Sequence, residues 1–123
     1  MANTFAGGEF TFTALYLTAE GVPIVPVALP IIHCFYFNAN GDKLTFIPPT
    51  NMTAIAGTPG RYSYKAVIPS NLAVNTEVYA DMTAIDPATG ANIVIEQTTT
   101  VISNTNAGVD AVRVSFVKPP GFL

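Results

Sequence analysis

The tightest constraint on this chain is a two-residue alternation of apolar and polar side chains, held in short runs that turn chemistry cuts off. In residues 61–68, Tyr62, Tyr64, Ala66 and Ile68 fall on one face and Arg61, Ser63 and Lys65 on the other. That is the period of a half-buried strand. Residues 9–18 repeat it, with Phe10, Phe12, Ala14 and Tyr16 on one face and Thr11, Thr13, Leu15 and Leu17 on the other. Residues 76–85 do so again, placing Val78, Ala80, Met82 and Ala84 inward and Tyr79, Asp81 and Thr83 outward.

Between these runs lie Glu20-Gly21, Asn40-Gly41, Gly57-Thr58-Pro59-Gly60 and Asp86-Pro87-Ala88-Thr89-Gly90. Each is a turn signal, and the Asn-Gly pair predicts a tight hairpin with positive backbone angles. Residues 22–29 read as an extended edge segment, because Pro23 and Pro26 cannot donate to a central ladder. Residues 31–38 are apolar on both faces, as in a central strand covered on each side, and residues 43–47 return antiparallel until Pro48-Pro49 breaks them. A short strand is expected at 52–56, a polar link with one helical turn at 70–75, and a returning strand at 91–102. Thr, Val, Ile, Phe and Tyr are plentiful while Glu, Lys, Arg and Gln are scarce, which favours pleated sheet. The expected class is all-β, an antiparallel sandwich or barrel.

A length of 123 residues suits one core, with about two-thirds of the unfolded chain's surface removed from water. The organisation expected is a flexible segment over residues 1–8, a β-domain over 9–102, and a linker and C-terminal arm or strand over 103–123. Only 11% of residues are charged, against roughly 25% in soluble domains. So much apolar surface with so little charge predicts an exterior partly covered by other protein.

The net charge is −3, and Lys43, Arg61, Lys65, Arg113 and Lys118 are scattered. No basic stripe exists to neutralise a phosphate backbone, so nucleic acid is not an expected partner. Residues 21–41 are uncharged and long enough to weigh as a membrane helix. Pro23, Pro26 and Pro30 argue against one, and His33, Asn38 and Asn40 add a polar cost. Residues 1–10 lack the basic and apolar regions of a secretory signal. Cys34 is the single cysteine, which excludes an intrachain disulfide.

From Gly60-Arg61-Tyr62-Ser63-Tyr64 through Ile68-Pro69 to Val78-Tyr79-Ala80 and the hairpin at 86–90, the sequence resembles immunoglobulin-like domains of bacteriophage structural proteins and bacterial surface proteins. The hairpin Asn38-Ala39-Asn40-Gly41-Asp42 is similar too. The resemblance covers residues 9–102. It departs from antibody domains in having no tryptophan and no partner for Cys34. It implies an immunoglobulin-like sandwich and a small virion component such as a capsid decoration or cement protein, made in the host cytoplasm and carried on the capsid surface.

No catalytic, cofactor or metal residues are assigned. His33 and Cys34 are adjacent, but neighbours in a strand point to opposite faces and cannot share a hydrogen bond. Two soft ligands do not make a zinc site. Asn38, Asn40 and Asp42 lack calcium-loop spacing and are explained by a turn. Asp81, Asp86 and Glu96 read as outward carboxylates on a solvated hairpin, and Gly7-Gly8 as a flexible lead-in without phosphate-loop context. Tyr16, Tyr36, Tyr62, Tyr64 and Tyr79 read chiefly as core packing.

The arm supplies the candidate partner-binding residues: Val112, Val114 and Phe116, which alternate with Arg113, Ser115 and Val117, and the terminal Phe122 and Leu123. Such a segment either completes its own sandwich or adds a strand to a neighbour's sheet edge. The function expected is a non-enzymatic structural protein docking on a protein lattice, the major capsid protein, as a homo-oligomer. A carbohydrate-binding or adhesion module is the alternative, and a small hydrolase using Asp81, Asp86, Glu96 and His33 ranks third.

Overall fold

The computed structural model describes residues 2–102, along which the alternating runs become eight strands. These are β1 (Ala2–Phe5), β2 (Glu9–Leu15), β3 (Ile31–Phe37), β4 (Lys43–Asn51), β5 (Thr53–Ala54), β6 (Arg61–Val67), β7 (Glu77–Ile85) and β8 (Asn92–Ile102). One sheet has five strands in the order β1-β8-β7-β3-β4, and the other has three in the order β2-β6-β5. The described residues contain no helix, so the class is all-β.

The two sheets pack as the layers of a β-sandwich. Phe12 and Ala14 of β2 and Tyr62 and Ala66 of β6 meet Ile32 and Cys34 of β3, Val78, Ala80, Met82 and Ala84 of β7 and Val101 of β8 in one buried cluster. These are the inward positions that alternation assigns to β2, β6 and β7. Small side chains at Ala14, Ala66, Ala80 and Ala84 let the layers approach, while Phe12, Tyr16, Ile32 and Met82 fill the space between them.

Several local expectations are corrected. Residues 2–5, read as part of a flexible segment, form β1 and pair in parallel with β8, Ala2 opposite Thr99 and Phe5 opposite Ile102. The sheet is therefore mixed, not wholly antiparallel. Four residues with one buried threonine, Thr4, give too weak an alternation to read ahead of time. Strand β4 continues through Pro48 and Pro49, because it is the sheet edge and its outer side owes no ladder bond. Its pairing with β3 slips twice, between Ile32 and Cys34 and between Cys34 and Phe35. At buried Met52 the chain crosses to the other sheet and begins β5.

Residues 22–29 make no strand. They touch the ladder through one bridge, Leu17 to Pro23, and through the Ile24 N–H donated to the Tyr16 carbonyl at 2.8 Å. Residues 70–75 contain no helical turn. The hairpin after β3 also differs from the two-residue form. The Gly41 N–H reaches the Asn38 carbonyl at 3.0 Å, and Gly41 alone of the Asn-Gly pair has positive φ, at 84°. That is a turn closed by a left-handed glycine, the three-residue loop type.

Gly60 sits where no side chain fits. Its φ is +81°, and an added Cβ would stand 2.9 Å from the Tyr16 carbonyl oxygen. Gly57 has φ +79° but open space around it. Gly57→Ala should therefore cost only the left-handed backbone penalty, about 1–2 kcal/mol, whereas Gly60→Ala adds a backbone collision. Urea midpoints of the two variants should differ clearly, with Gly60→Ala the less stable.

The Thr99 hydroxyl is buried and has no hydrogen-bond partner among the described residues. Replacing it with a methyl of similar shape removes a desolvated, unsatisfied group. Thr99→Val should raise stability by about 1 kcal/mol in urea unfolding.

Candidate functional site

The outward face of the five-stranded sheet is built by the odd-numbered residues of β3 and β7. Alternation from buried Ile32 and Cys34 turns Ile31, His33, Phe35 and Phe37 away from the core. On β7, buried Val78, Ala80, Met82 and Ala84 leave Glu77, Tyr79, Asp81, Thr83 and Ile85 on that same side. Strand register then sets these residues in rows: Ile31–Thr83–Val94, His33–Asp81–Glu96 and Phe35–Tyr79–Thr98.

The middle of this face is an aromatic cluster. The Phe35 and Tyr79 rings stack at 5.4 Å between centroids and 10° between planes. Phe37 meets Phe35 and Tyr79 edge-on, at 5.9 and 5.7 Å. The His33 ring lies 5.2 Å from Phe35, and the Lys43 ammonium stands 4.1 Å from the Phe35 ring centre, a cation–π contact. These neighbours bury Phe35 to 5% exposure although it points away from the core, while Phe37 remains 44% exposed.

Polar groups frame the rings. His33 Nε2 pairs with the Thr45 hydroxyl at 2.8 Å, and the Tyr79 hydroxyl donates to Glu77 Oε1 at 2.7 Å. That bond to a carboxylate raises the Tyr79 pKa, because ionising the phenol would forfeit it. Asp81 stands directly opposite both His33 and Glu96, so an acidic row crosses the sheet beside the rings. Beyond that row the face becomes apolar. A groove of about 420 Å³ is lined by Leu29, Ile31, His33, Pro49, Asp81 and Ile85 among others. Nearby, Val94 and Ile85 are more than half exposed.

The other residues singled out from sequence are placed as follows. Cys34 and His33 point to opposite faces of β3, the thiol in the core and the imidazole at the surface. Asn38 Oδ1 accepts from the N–H groups of Asn40 and Asp42, each at 2.9 Å, so the Asn-Asp group is an internally bonded turn. Asp86 sits at the β7–β8 turn, where its Oδ1 accepts from the Ala88 N–H. Among the described residues, no three His, Cys, Asp or Glu side chains are grouped to hold a metal ion. No helix there is long and apolar enough to cross a membrane.

Tyr16 and Tyr62 are buried in the core and Tyr64 packs against it. Tyr79 instead belongs to the outer cluster, contrary to the core reading. Val112, Val114, Phe116, Phe122 and Leu123 lie outside the described residues. The cluster of Phe35, Phe37 and Lys43 was not singled out from sequence. Its signal was the two-residue spacing of His33, Phe35 and Phe37, hidden because the β3 segment is apolar at every step.

Comparison of the chain with family models, with curated proteins and with solved structures gives no match.

Two buried groups give the fold an alkaline limit. Burial, then the Asp81 charge, pushes the Cys34 thiol from 9.0 to about 12. Burial, then Tyr62, pushes the Tyr16 phenol from 10.0 to about 12. The folded chain therefore holds protons that the unfolded chain releases. Stability from these groups should be complete below about pH 9 and decline as pH rises towards 12. Urea melts from pH 7 to 11 should show that fall, and iodoacetamide should alkylate Cys34 far more slowly in the native than in the unfolded protein.

Proposed function

We propose that this chain is a non-enzymatic structural protein that docks on a repeated protein surface through the outward face of its five-stranded sheet. The observation that carries the reading is the aromatic cluster of Phe35, Phe37 and Tyr79 running into the apolar groove at Ile31 and Ile85. Rigid aromatic groups beside exposed aliphatic ones, with a few charged side chains framing them, have the make-up of a protein-binding patch. The low overall charge supports the same reading.

The architecture we propose is immunoglobulin-like. The three-stranded sheet follows the order B-E-D of that fold, and β8-β7-β3-β4 follows G-F-C with the added strand of variable-type domains. Together with the resemblance to phage structural domains, this favours a bacteriophage capsid decoration or cement protein, carried on the virion surface and bound to the major capsid protein. Residues 103–123 then act as an arm that supplements the face. A sugar platform is a weaker fit, because the Phe35 ring is already engaged by Tyr79 and Lys43 and has little surface left for stacking.

The test is co-sedimentation of the purified full chain with capsids of its phage. Binding should saturate at a fixed number of copies per capsid. Phe37→Asp and Ile85→Asp, both at exposed positions, should weaken it by about tenfold or more while leaving the fold intact by circular dichroism. Unchanged binding by both variants would sink the face as the docking surface. Saturable glycan binding by an isolated monomer, with no affinity for capsids, would replace the reading with an adhesion module.

A further inference from the structure

One sheet edge is left open. Strand β8 runs from Asn92 to Ile102, but β1 pairs only with residues 99–102. Along residues 92–98, no described strand lies on the side of β8 away from β7. The directions of the backbone groups follow from bonds at its two ends. The Ala91 carbonyl accepts from the Asp86 N–H, and Val101 both donates to the Thr76 carbonyl and accepts from the Asn75 N–H. Odd-numbered residues therefore aim at the β7 side. Alternation turns the N–H and C=O groups of Asn92, Val94 and Glu96 outward, as a ready template for another strand.

Three other edge strands carry guarding features. β4 carries Pro48, Pro49 and two register slips, and β5 is two residues long. On β2, the Thr13 N–H is taken by the side chain of Gln97. Residues 92–98 have neither proline nor register slip, and one charge, Glu96. Natural sheets rarely leave such a run uncovered.

We propose that residues 111–117 of a neighbouring copy add to this edge as a strand, an exchanged arm that links copies of the chain. Three features select this occupant. The segment is as long as the open run. Its alternation matches the edge on both faces: Val112, Val114 and Phe116 fall on one side, suited to the half-buried Ile93 and Ile95. Arg113 and Ser115 fall on the other, suited to the acidic row at Glu96 and Asp81. Finally, the donor is a second copy because the chain's own arm is obstructed. Phe5 lies opposite Ile102, so β1 and its connection to β2 occupy the flank of β8 that holds the open run, beside the end of β8 from which the arm departs. An arm folding back on its own β8 would have to cross that connection, which chains avoid.

The exchange is independent of what the outward face docks on, and it is tested on the full chain alone. A photo-reactive benzoylphenylalanine replaces Phe116, and equal amounts of light and heavy-isotope protein are mixed and irradiated. The expected product is a mixed-isotope crosslink from position 116 to residues 92–98. Same-isotope crosslinks only would assign the arm to its own sandwich. Crosslinks elsewhere, or none, would also overturn the exchange.

Sedimentation velocity supplies the second readout. Val94→Pro removes an outward N–H while sparing the β7 ladder, and Glu96→Arg reverses the charge. Each should weaken self-association by roughly tenfold. Arg113→Glu added to Glu96→Arg should restore it, a rescue that misfolding cannot produce. A full chain that stays monomeric at high concentration, or charge variants that associate like the parent, would end the proposal.

Discussion

The sandwich is tied together at Tyr16. Its hydroxyl is buried and donates to the Met82 carbonyl at 2.8 Å, joining the end of β2 to the middle of β7 in the opposite sheet. Its own N–H is donated to the Gly60 carbonyl at 2.9 Å, and its carbonyl accepts from Ile24. One residue thus fixes the spacing between layers, the start of β6 and the inward turn of an otherwise exposed loop. Gly60 is obligatory because that loop and the Tyr16 backbone leave no room for a Cβ. The phenol is satisfied only in this geometry, so a buried polar group that would otherwise cost stability specifies how the sheets meet.

This tie leaves the two faces of the five-stranded sheet with different roles. Inward, β7 presents Val78, Ala80, Met82 and Ala84, a row whose two alanines allow close packing. Outward, the same strand presents Tyr79 between Glu77 and Asp81, with rings from β3 beside it. Phe35 is buried on a face that the second sheet never touches. Its cover is Tyr79, Phe37, His33 and Lys43, so the outer face carries a small packed cluster of its own. Such a cluster presents side chains that are already ordered. A partner docking there would spend less conformational entropy than on a surface of free rotamers.

Most of the layering was legible in the sequence because strand period and turn chemistry are local signals. β2, β6 and β7 alternate cleanly, and their buried residues are those that alternation selects. What stayed hidden depends on neighbours. β1 has four residues, and its existence rests on the flank of β8. Pro48 and Pro49 look like a break until β4 is known to be an edge, where a missing N–H costs no ladder bond. The aromatic cluster was obscured for a related reason. A segment apolar at every position does not disclose which of its residues face the second sheet. Register with β7 decides it, placing Phe35 against Tyr79 on the outside.

The scarcity of charge acquires a location from the fold. The uncharged stretch over residues 21–41 includes the exposed Val22, Val25, Val27 and Leu29 before it enters β3. Leu29 and Ile31 then line the groove at the apolar end of the outward face. Val94, on the open part of β8, lies in the Ile31–Thr83–Val94 row of that same face. Leu29, Ile31 and Val94 therefore fall on one side of the five-stranded sheet, beside the open edge. Isolated exposed aliphatic residues need no explanation, but a contiguous set bordering unpaired backbone does. Covering it would satisfy backbone hydrogen bonds and remove apolar area from water in the same event. The opposite sheet is more polar on its outer side, where Thr11, Thr13, Ser63 and Lys65 accompany the exposed Val67.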